Sequence, residues 1–277
     1  MYYNMGINKK PSESKSEDLV GYNNGFFWLL DGATPPAEKT NKELTQIYIN
    51  LLNAALTNCA LECKNTNLLL ERSIEKVRNS FEKNYDLSSI DYFPYSTAVI
   101  FKIDDKAVEY TVLGDSYLSI ATENSIVNIT DDRLKRIAVK ERRVVQEMRE
   151  NGIDEKSIEY KQARKNLIYT ELDFQNIDGG YWVAGLNPIA ARESVSGKIT
   201  IGKDKQFFVF AASDGLARLI THFDKFKDFK SLGKEIEQNG AKKTFEMLRK
   251  LESNKSNFKK PVSSKHDDAS FVMVCNN

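Results

Sequence analysis

GFFWLLDGAT, residues 25–34, is an apolar run that ends abruptly in Asp31-Gly32. Phe26–Leu30 has the length and composition of a buried strand. The acid and glycine that follow bring a carboxylate to the mouth of a sheet, where the chain can turn and a ligand can approach the backbone. FFVFAASDG, residues 207–215, repeats the arrangement, and a third acidic pair, Asp267-Asp268, stands directly before the apolar run Ala269 to Cys275. Three strand-end carboxylate sites in one chain point to a metal centre.

Outward from this strand, Asp18–Tyr22 is expected to pair with Phe26–Leu30 through the turn Asn23-Asn24-Gly25, forming a hairpin. Ala33-Thr34-Pro35-Pro36 is expected to stop the strand. The spacing of Leu44, Ile47, Tyr48, Leu51, Leu52 and Ala55 predicts an amphipathic helix, and Leu70, Ile74, Val77, Phe81 and Tyr85 predict a second. Strands are expected at Ser96–Ile103, Ala107–Gly114, Tyr117–Ala121 and Ile126–Ile129. Their links are too short for parallel crossovers, which suggests an antiparallel meander.

The stretch 131–166 is charged and helical, with Arg133, Lys135, Arg136, Arg142, Arg143, Arg149, Arg164 and Lys165 outnumbering the acids. It is either a solvated helical hairpin or a docking surface for an anionic partner. Tyr181–Ala184 is expected as a short strand, Lys198–Ile201 and Gln206–Ala212 as a hairpin, Leu216–Ile220 and Leu232–Leu251 as helix, and Ser270–Cys275 as the last strand. Residues 1–16 are polar and are expected to form a flexible arm. Blocks of strands with helices at their margins indicate an α+β chain of mostly antiparallel sheets, in a single domain over 1–277 with 131–166 as a charged helical insertion.

Charge and composition exclude several function classes. Lys+Arg number 40 against 39 Asp+Glu, so net charge argues for neither nucleic acid nor an anionic membrane as partner. No run approaches the roughly 20 apolar residues of a membrane span, and the start MYYNMGINKK has no apolar signal core, so a cytoplasmic protein is expected. Cys59, Cys63 and Cys275 make neither a disulfide framework nor a zinc ribbon, and burial as small apolar side chains explains them. With only His222 and His266, no His-rich binuclear phosphatase site can be built. His222 is expected to end the helix after Asp214-Gly215, and His266 is a loop residue or a proton carrier beside Asp267.

Carboxylate and carbonyl oxygens at strand ends suit Mg²⁺ or Mn²⁺, which keep several waters. Asp31, the Gly32 carbonyl, Asp214 and Asp267 together can hold two such ions. A two-metal site can activate a water and neutralise a phosphoryl group without a cysteine or serine nucleophile.

The ordered set Glu17-Asp18, LLDGAT (29–34), YSTAVIF (95–101), VLGDS (112–116), AASDGL (211–216) and HDDASFVMV (266–274) resembles the metal-dependent PP2C-type (PPM) protein phosphatase family, from about residue 16 to 275. The resemblance implies an αββα sandwich with two central antiparallel sheets flanked by helix pairs. It also implies hydrolysis of phosphoserine and phosphothreonine in proteins by a metal-activated water, opposing a serine/threonine kinase. Asp31, Asp214 and Asp267 would be the catalytic carboxylates. Asp31 would bridge two Mn²⁺ or Mg²⁺ ions, Gly32 would ligate one through its carbonyl, Asp214 and Asp267 would complete the other, and Asp115 with Asp214 would offer a third site. Glu17 and Asp18 would hold metal-bound waters, and Asp268 falls where the family commonly has Asn.

Two positions depart from the family. Ala33-Thr34 replaces the His-Gly that supplies its general acid, and Glu13 replaces its phosphate-binding Arg, for which Lys15 or Lys10 would substitute. The alternative is therefore a weakly active or inactive member acting as a phosphoprotein-binding module. A metal-dependent nuclease is disfavoured by the neutral charge balance.

Overall fold

Successive side chains of a strand face opposite ways, and a strand apolar on both faces needs cover on both. Phe26–Leu30 is buried throughout and receives that cover in the computed structural model, which describes all residues except 35–41, 91, 105, 124, 203–205, 255–256, 259–263 and 277. In chain order the described elements are β1 (Tyr2–Asn8), β2 (Asp18–Asn23), β3 (Phe26–Ala33), α1 (Lys42–Cys59), α2 (Thr66–Asn84), β4 (Tyr95–Ile103), β5 (Ala107–Leu113), β6 (Tyr117–Ala121), β7 (Ile126–Ile129), α3 (Val139–Glu150), α4 (Ile158–Asp173), α5 (Ile189–Arg192), β8 (Val195–Thr200), β9 (Phe208–Ala212), α6 (Asp214–Thr221), α7 (Phe229–Asn239), α8 (Ala241–Ser253) and β10 (Ala269–Cys275). They form two antiparallel five-stranded sheets, ordered β2-β3-β4-β5-β8 and β1-β10-β9-β6-β7.

Three apolar layers result. Phe26, Trp28 and Leu30 face outward with Ala98 and Ile100 and meet Tyr48, Leu52, Leu70, Ile74 and Phe81 of α1 and α2. Phe27 and Leu29 face inward and, with Val99, Phe101 and Val112, pack on Leu118, Val209, Ala211, Val272 and Val274 of the other sheet. The outer face of that second sheet, through Phe210, Phe271 and Met273, is covered by α6, α7 and α8. Each large apolar side chain so buried contributes about 1.5–3 kcal/mol of transfer free energy. The arrangement is the expected αββα sandwich.

Several local expectations are corrected. Residues 2–8 of the expected arm are β1, paired along its full length with β10 from Tyr2↔Cys275 to Asn8↔Ala269. An edge strand half open to solvent has a weak apolar pattern, and nothing local announces its partner. β3 runs past Leu30 through Asp31-Gly32 and ends at Ala33, within the segment expected to stop it, whose prolines lie outside the described residues. The four consecutive strands are no meander: β5 pairs with β4 and β8, while β6 pairs with β7 and β9. A short link rules out a parallel pair but does not require that its two strands pair at all. Here Gly114, with φ +81, turns the chain sharply enough for residues 114–116 to cross between the sheets.

The expected second hairpin fails in the same way, since β8 joins one sheet and β9 the other. Tyr181–Ala184 makes only two isolated bridges, Gln175↔Tyr181 and Ser96↔Ala184. The helical stretch 232–251 is two helices meeting at Gly240. Cys59, Cys63 and Cys275 are free and buried, and among the described residues no helix is long and apolar enough to cross a membrane.

Candidate metal centre

The inward face of β3 carries Phe27, Leu29 and then Asp31, so the alternation that builds the inter-sheet core places the acid on that same face. Register extends the polar row: Asp31 stands opposite Asp18 on β2 and Thr97 on β4. Across the gap, the Ser213 hydroxyl accepts from the Ser270 amide at 2.9 Å. One end of an apolar interface is thus converted to a polar one. A cavity of about 460 Å³ opens there, lined by Glu17, Asp31, Gly32, Asp115, Asp214 and Asp267, among others.

Each acid is delivered by a different device. Asp115 sits in the sheet-to-sheet crossover, where Thr97 and Ser116 share a 2.6 Å hydroxyl contact beside it. Asp214 is the first residue of α6. Asp267 precedes β10, and the neighbouring Asp268 is buried, accepting the backbone amides of Lys10 and Glu17 at 2.6 Å each. Asp268 therefore straps the 10–17 segment across the cavity. Glu17 in turn accepts from the Thr34 hydroxyl, and its carbonyl accepts from the Gly32 amide at 3.1 Å.

The electrostatics are those of crowded acids. Asp31 is pushed well above the usual carboxylate range by burial and then by the charges of Asp18, Asp214, Asp267 and Asp115. Asp214 is raised well above it by burial, Asp267 and Asp115, with Arg218 opposing. Burial, with Asp267 and Asp131 adding, also raises Asp115 against the pull of Lys135. Asp18 is pushed up to about 7 by burial first and by the Asp268 and Asp267 charges after it. Both Asp18 carboxylate oxygens are buried without a hydrogen-bond partner. Like charges directly opposed on neighbouring strands are destabilising, and uncompensated buried carboxylates more so.

A bound divalent cation would remove both costs, and the oxygen-only donor set suits Mg²⁺ or Mn²⁺. Asp31, Gly32, Asp214, Asp267 and Asp115 would be the residues to hold such ions. Among the described residues no group of three or more His, Cys, Asp or Glu side chains is already arranged to hold a metal ion.

The two lysines separate. Lys15 lines a different depression, beside Glu43, Gln46 and Leu51 of α1. Lys10 instead reaches the cavity, with its Nζ 3.3 Å from Asp267 and 3.8 Å from Glu17. Burial works against its charge, but Asp267, Asp268 and Glu17 together hold the ammonium above its usual range. His222 caps the C-terminus of α6, its Nδ1 2.7 Å from the Thr221 hydroxyl. His266 meets Glu252 at 3.0 Å.

Charged residues that were not singled out as site residues from the sequence include Asp131, Arg164 and Glu171 on the cavity wall, and Arg218 behind Asp267. Asp131 lines the wall and is gripped by Arg133 at 2.5 Å. Arg218 holds Asp267 at 2.8 Å. The only available signal for Arg218 was its position four residues after Asp214, on the same helix face.

Neither a family model nor a curated protein matches the sequence, but solved structures match over nearly its whole length. The serine/threonine phosphatase PstP/Ppp of Mycobacterium tuberculosis superposes with a TM-score of 0.56 at 12% identity, covering 98% of this chain and 97% of that one. The catalytic domain of PstP in complex with two manganese ions gives 0.55 at 12% identity, over 100% and 98% of the two chains. Stp1, a serine/threonine phosphatase of Staphylococcus aureus, gives 0.54 at 14% identity, over 99% and 94%. The chain has the PP2C-type fold of these phosphatases.

Proposed function

We propose that the protein is a Mn²⁺- or Mg²⁺-dependent phosphatase that hydrolyses phosphoserine and phosphothreonine in proteins, with Asp31, Asp214 and Asp267 as its catalytic carboxylates. One observation carries this reading. Acids from β3, from the β5–β6 crossover, from the start of α6 and from the entry to β10 meet at one cavity between the sheets, in a fold shared end to end with phosphatases, one of them solved with two manganese ions. When bound, the ions would supply charge neutralisation at the phosphoryl group and a water acidified for attack.

The remaining work falls to the chain's own residues. Asp31, the Gly32 carbonyl, Asp214 and Asp267 would hold the ions. Asp115 with Asp214 would offer a further position. Glu17 and Asp18 would orient water around them, and Asp268 fixes the 10–17 strap. Lys10, a cation on the cavity wall in place of Lys15, would orient the phosphate as a point charge rather than as a planar fork. Ala33 presents no titratable group toward the leaving oxygen.

Hydrolysis of a phosphothreonine peptide with Mn²⁺ tests the reading. Asp31→Asn and Asp214→Asn should each lower kcat by at least about a hundredfold while the circular dichroism spectrum is retained. Activity that survives both substitutions would sink it. The absence of a side-chain acid at Ala33 and the displacement of Lys15 from the cavity favour a second reading, a phosphoprotein-binding module. Mn²⁺ binding and phosphopeptide binding without turnover in the unaltered protein would select it.

A further inference from the structure

Behind Asp267 lies a buried ionic cluster that the proposed chemistry does not use. Arg218 stands four residues after Asp214 on α6, and its side chain is only 3% exposed. Its Nη1 donates to Glu252 Oε1 at 2.9 Å and its Nη2 to Asp267 Oδ2 at 2.8 Å. Glu252, on α8, is wholly buried, and its second oxygen takes Arg249 Nη1 at 2.7 Å and His266 Nδ1 at 3.0 Å. Arg249 also donates to the Asn8 side chain at 2.8 Å and to the Asn8 carbonyl at 2.9 Å, at the end of β1. Glu252 therefore cannot shift without leaving a buried charge unpaired, and it is a fixed post for the guanidinium.

The fork then fixes Asp267. A guanidinium presents its donors in one rigid plane, so an arginine held by Glu252 on one side sets the direction of whatever it grips on the other. Asp267 Oδ2 is committed to Arg218. Oδ1 accepts the Asp268 amide at 3.1 Å and lies 3.3 Å from Lys10 Nζ, itself on the cavity wall. The backbone agrees with this packing: a Cβ on Gly215 would fall 1.9 Å from the Asp268 carbonyl, so only glycine lets α6 seat directly against the 267–268 turn.

We propose that Arg218, braced by Glu252, is a positioning residue of the metal centre: it holds Oδ2 of Asp267, so that an ion binding Asp267 does so at Oδ1, in place of Lys10 Nζ. This rests on the reading that the cavity holds divalent cations. Two duller roles differ in what they entail. A counter-charge for the acids would repel cations and would be preserved in any cationic replacement. A purely structural ion pair would change the fold's stability and leave ion affinity alone.

Calorimetric titration of Mn²⁺ into the unaltered protein, Arg218→Lys and Glu252→Gln, with melting curves in chelator and in Mn²⁺, separates these. Arg218→Lys keeps the charge but cannot span both carboxylates, and should weaken one class of Mn²⁺ site by about tenfold or more. Glu252→Gln should weaken the same class. Correspondingly, the rise in melting temperature on adding Mn²⁺ should shrink in both variants. Unchanged or tighter Mn²⁺ binding by Arg218→Lys would overturn the inference, as would equal losses of melting temperature with and without Mn²⁺. Should Arg218→Lys not fold, Glu252→Gln decides by the same criteria. No Mn²⁺ binding by the unaltered protein would overturn the metal centre itself and this inference with it, and the wild-type titration tells that failure from a failure of Arg218 alone.

Discussion

On the β2–β3–β4 bank of the cavity, Asp18 and Asp31 oppose each other across a strand pair, and neither oxygen of Asp18 finds a hydrogen-bond donor. On the facing bank, Asp267 has Arg218 on one oxygen and Lys10 near the other, and Asp268 has two backbone amides. The Asp267–Asp268 turn supplies its own compensation and is organised before anything binds, although Asp214 beside it is as crowded as Asp31. The β2–β3–β4 bank stores repulsion that an ion would relieve. A binding site built this way has a rigid half that sets geometry and a strained half that rewards occupancy.

The comparison can be broken most sharply on the compensated bank. Arg218→Met should destabilise the protein by about 3–5 kcal/mol in urea unfolding, because it leaves Oε1 of the buried Glu252 and Oδ2 of Asp267 without their shared donor. A loss within about 0.5 kcal/mol, the range of an ordinary surface substitution, would show that bank is not self-sufficient. Next in size is the response to the ion. Mn²⁺ at a hundredfold excess over its dissociation constant should stabilise the unaltered protein by about 2.7 kcal/mol, and Asp31→Asn should remove most of that gain.

In chelator, Asp31→Asn should have the opposite sign to Arg218→Met, raising stability by about 1 kcal/mol as one repelling acid is deleted. A fall instead would show that the β3 bank is not under strain. The same strain has a pH signature. Asp18 is raised from the ordinary 3.8 to about 7 in the fold, so the folded state binds more protons than the unfolded between these values. Its contribution is fully present below the lower value and is lost as pH rises through the upper one. Melting of the metal-free protein should follow that decline, and Asp18→Asn should flatten it. Smallest of all, Lys15→Ala should change Mn²⁺ affinity and stability indistinguishably from zero, whereas Lys10→Ala, on the cavity wall, should change the KM for a phosphopeptide.

Legibility in the sequence followed burial. β3, β4, β9 and β10 could be found from composition because each is apolar across most of its length and buried on both faces. β1 could not, since its side chains are exposed or only half-buried and its pairing partner lies more than 260 residues away in the chain. The helix pair α1 and α2 followed from apolar spacing alone. The basic stretch after Asp131 left a docking surface open, but much of its charge is spent internally, with Arg133 on Asp131, Arg142 on Glu171 and Arg143 on Glu147.

By itself the sequence determined where the buried strands and most helices lie, and that acids follow or precede the most apolar strands, because local apolar periodicity records burial directly. The inner-face position of Asp31, in parity with Phe27 and Leu29, follows only because β3 runs on through it. Tertiary structure alone decided which strands pair, that residues 114–116 cross between sheets, that Lys10 rather than Lys15 faces the acids, and that Arg218 is buried against Asp267 and Glu252. Strand pairing and the burial of charge are set by partners distant in sequence. A charged residue's letter is the same whether it is solvated or gripped, and only the fold distinguishes the two.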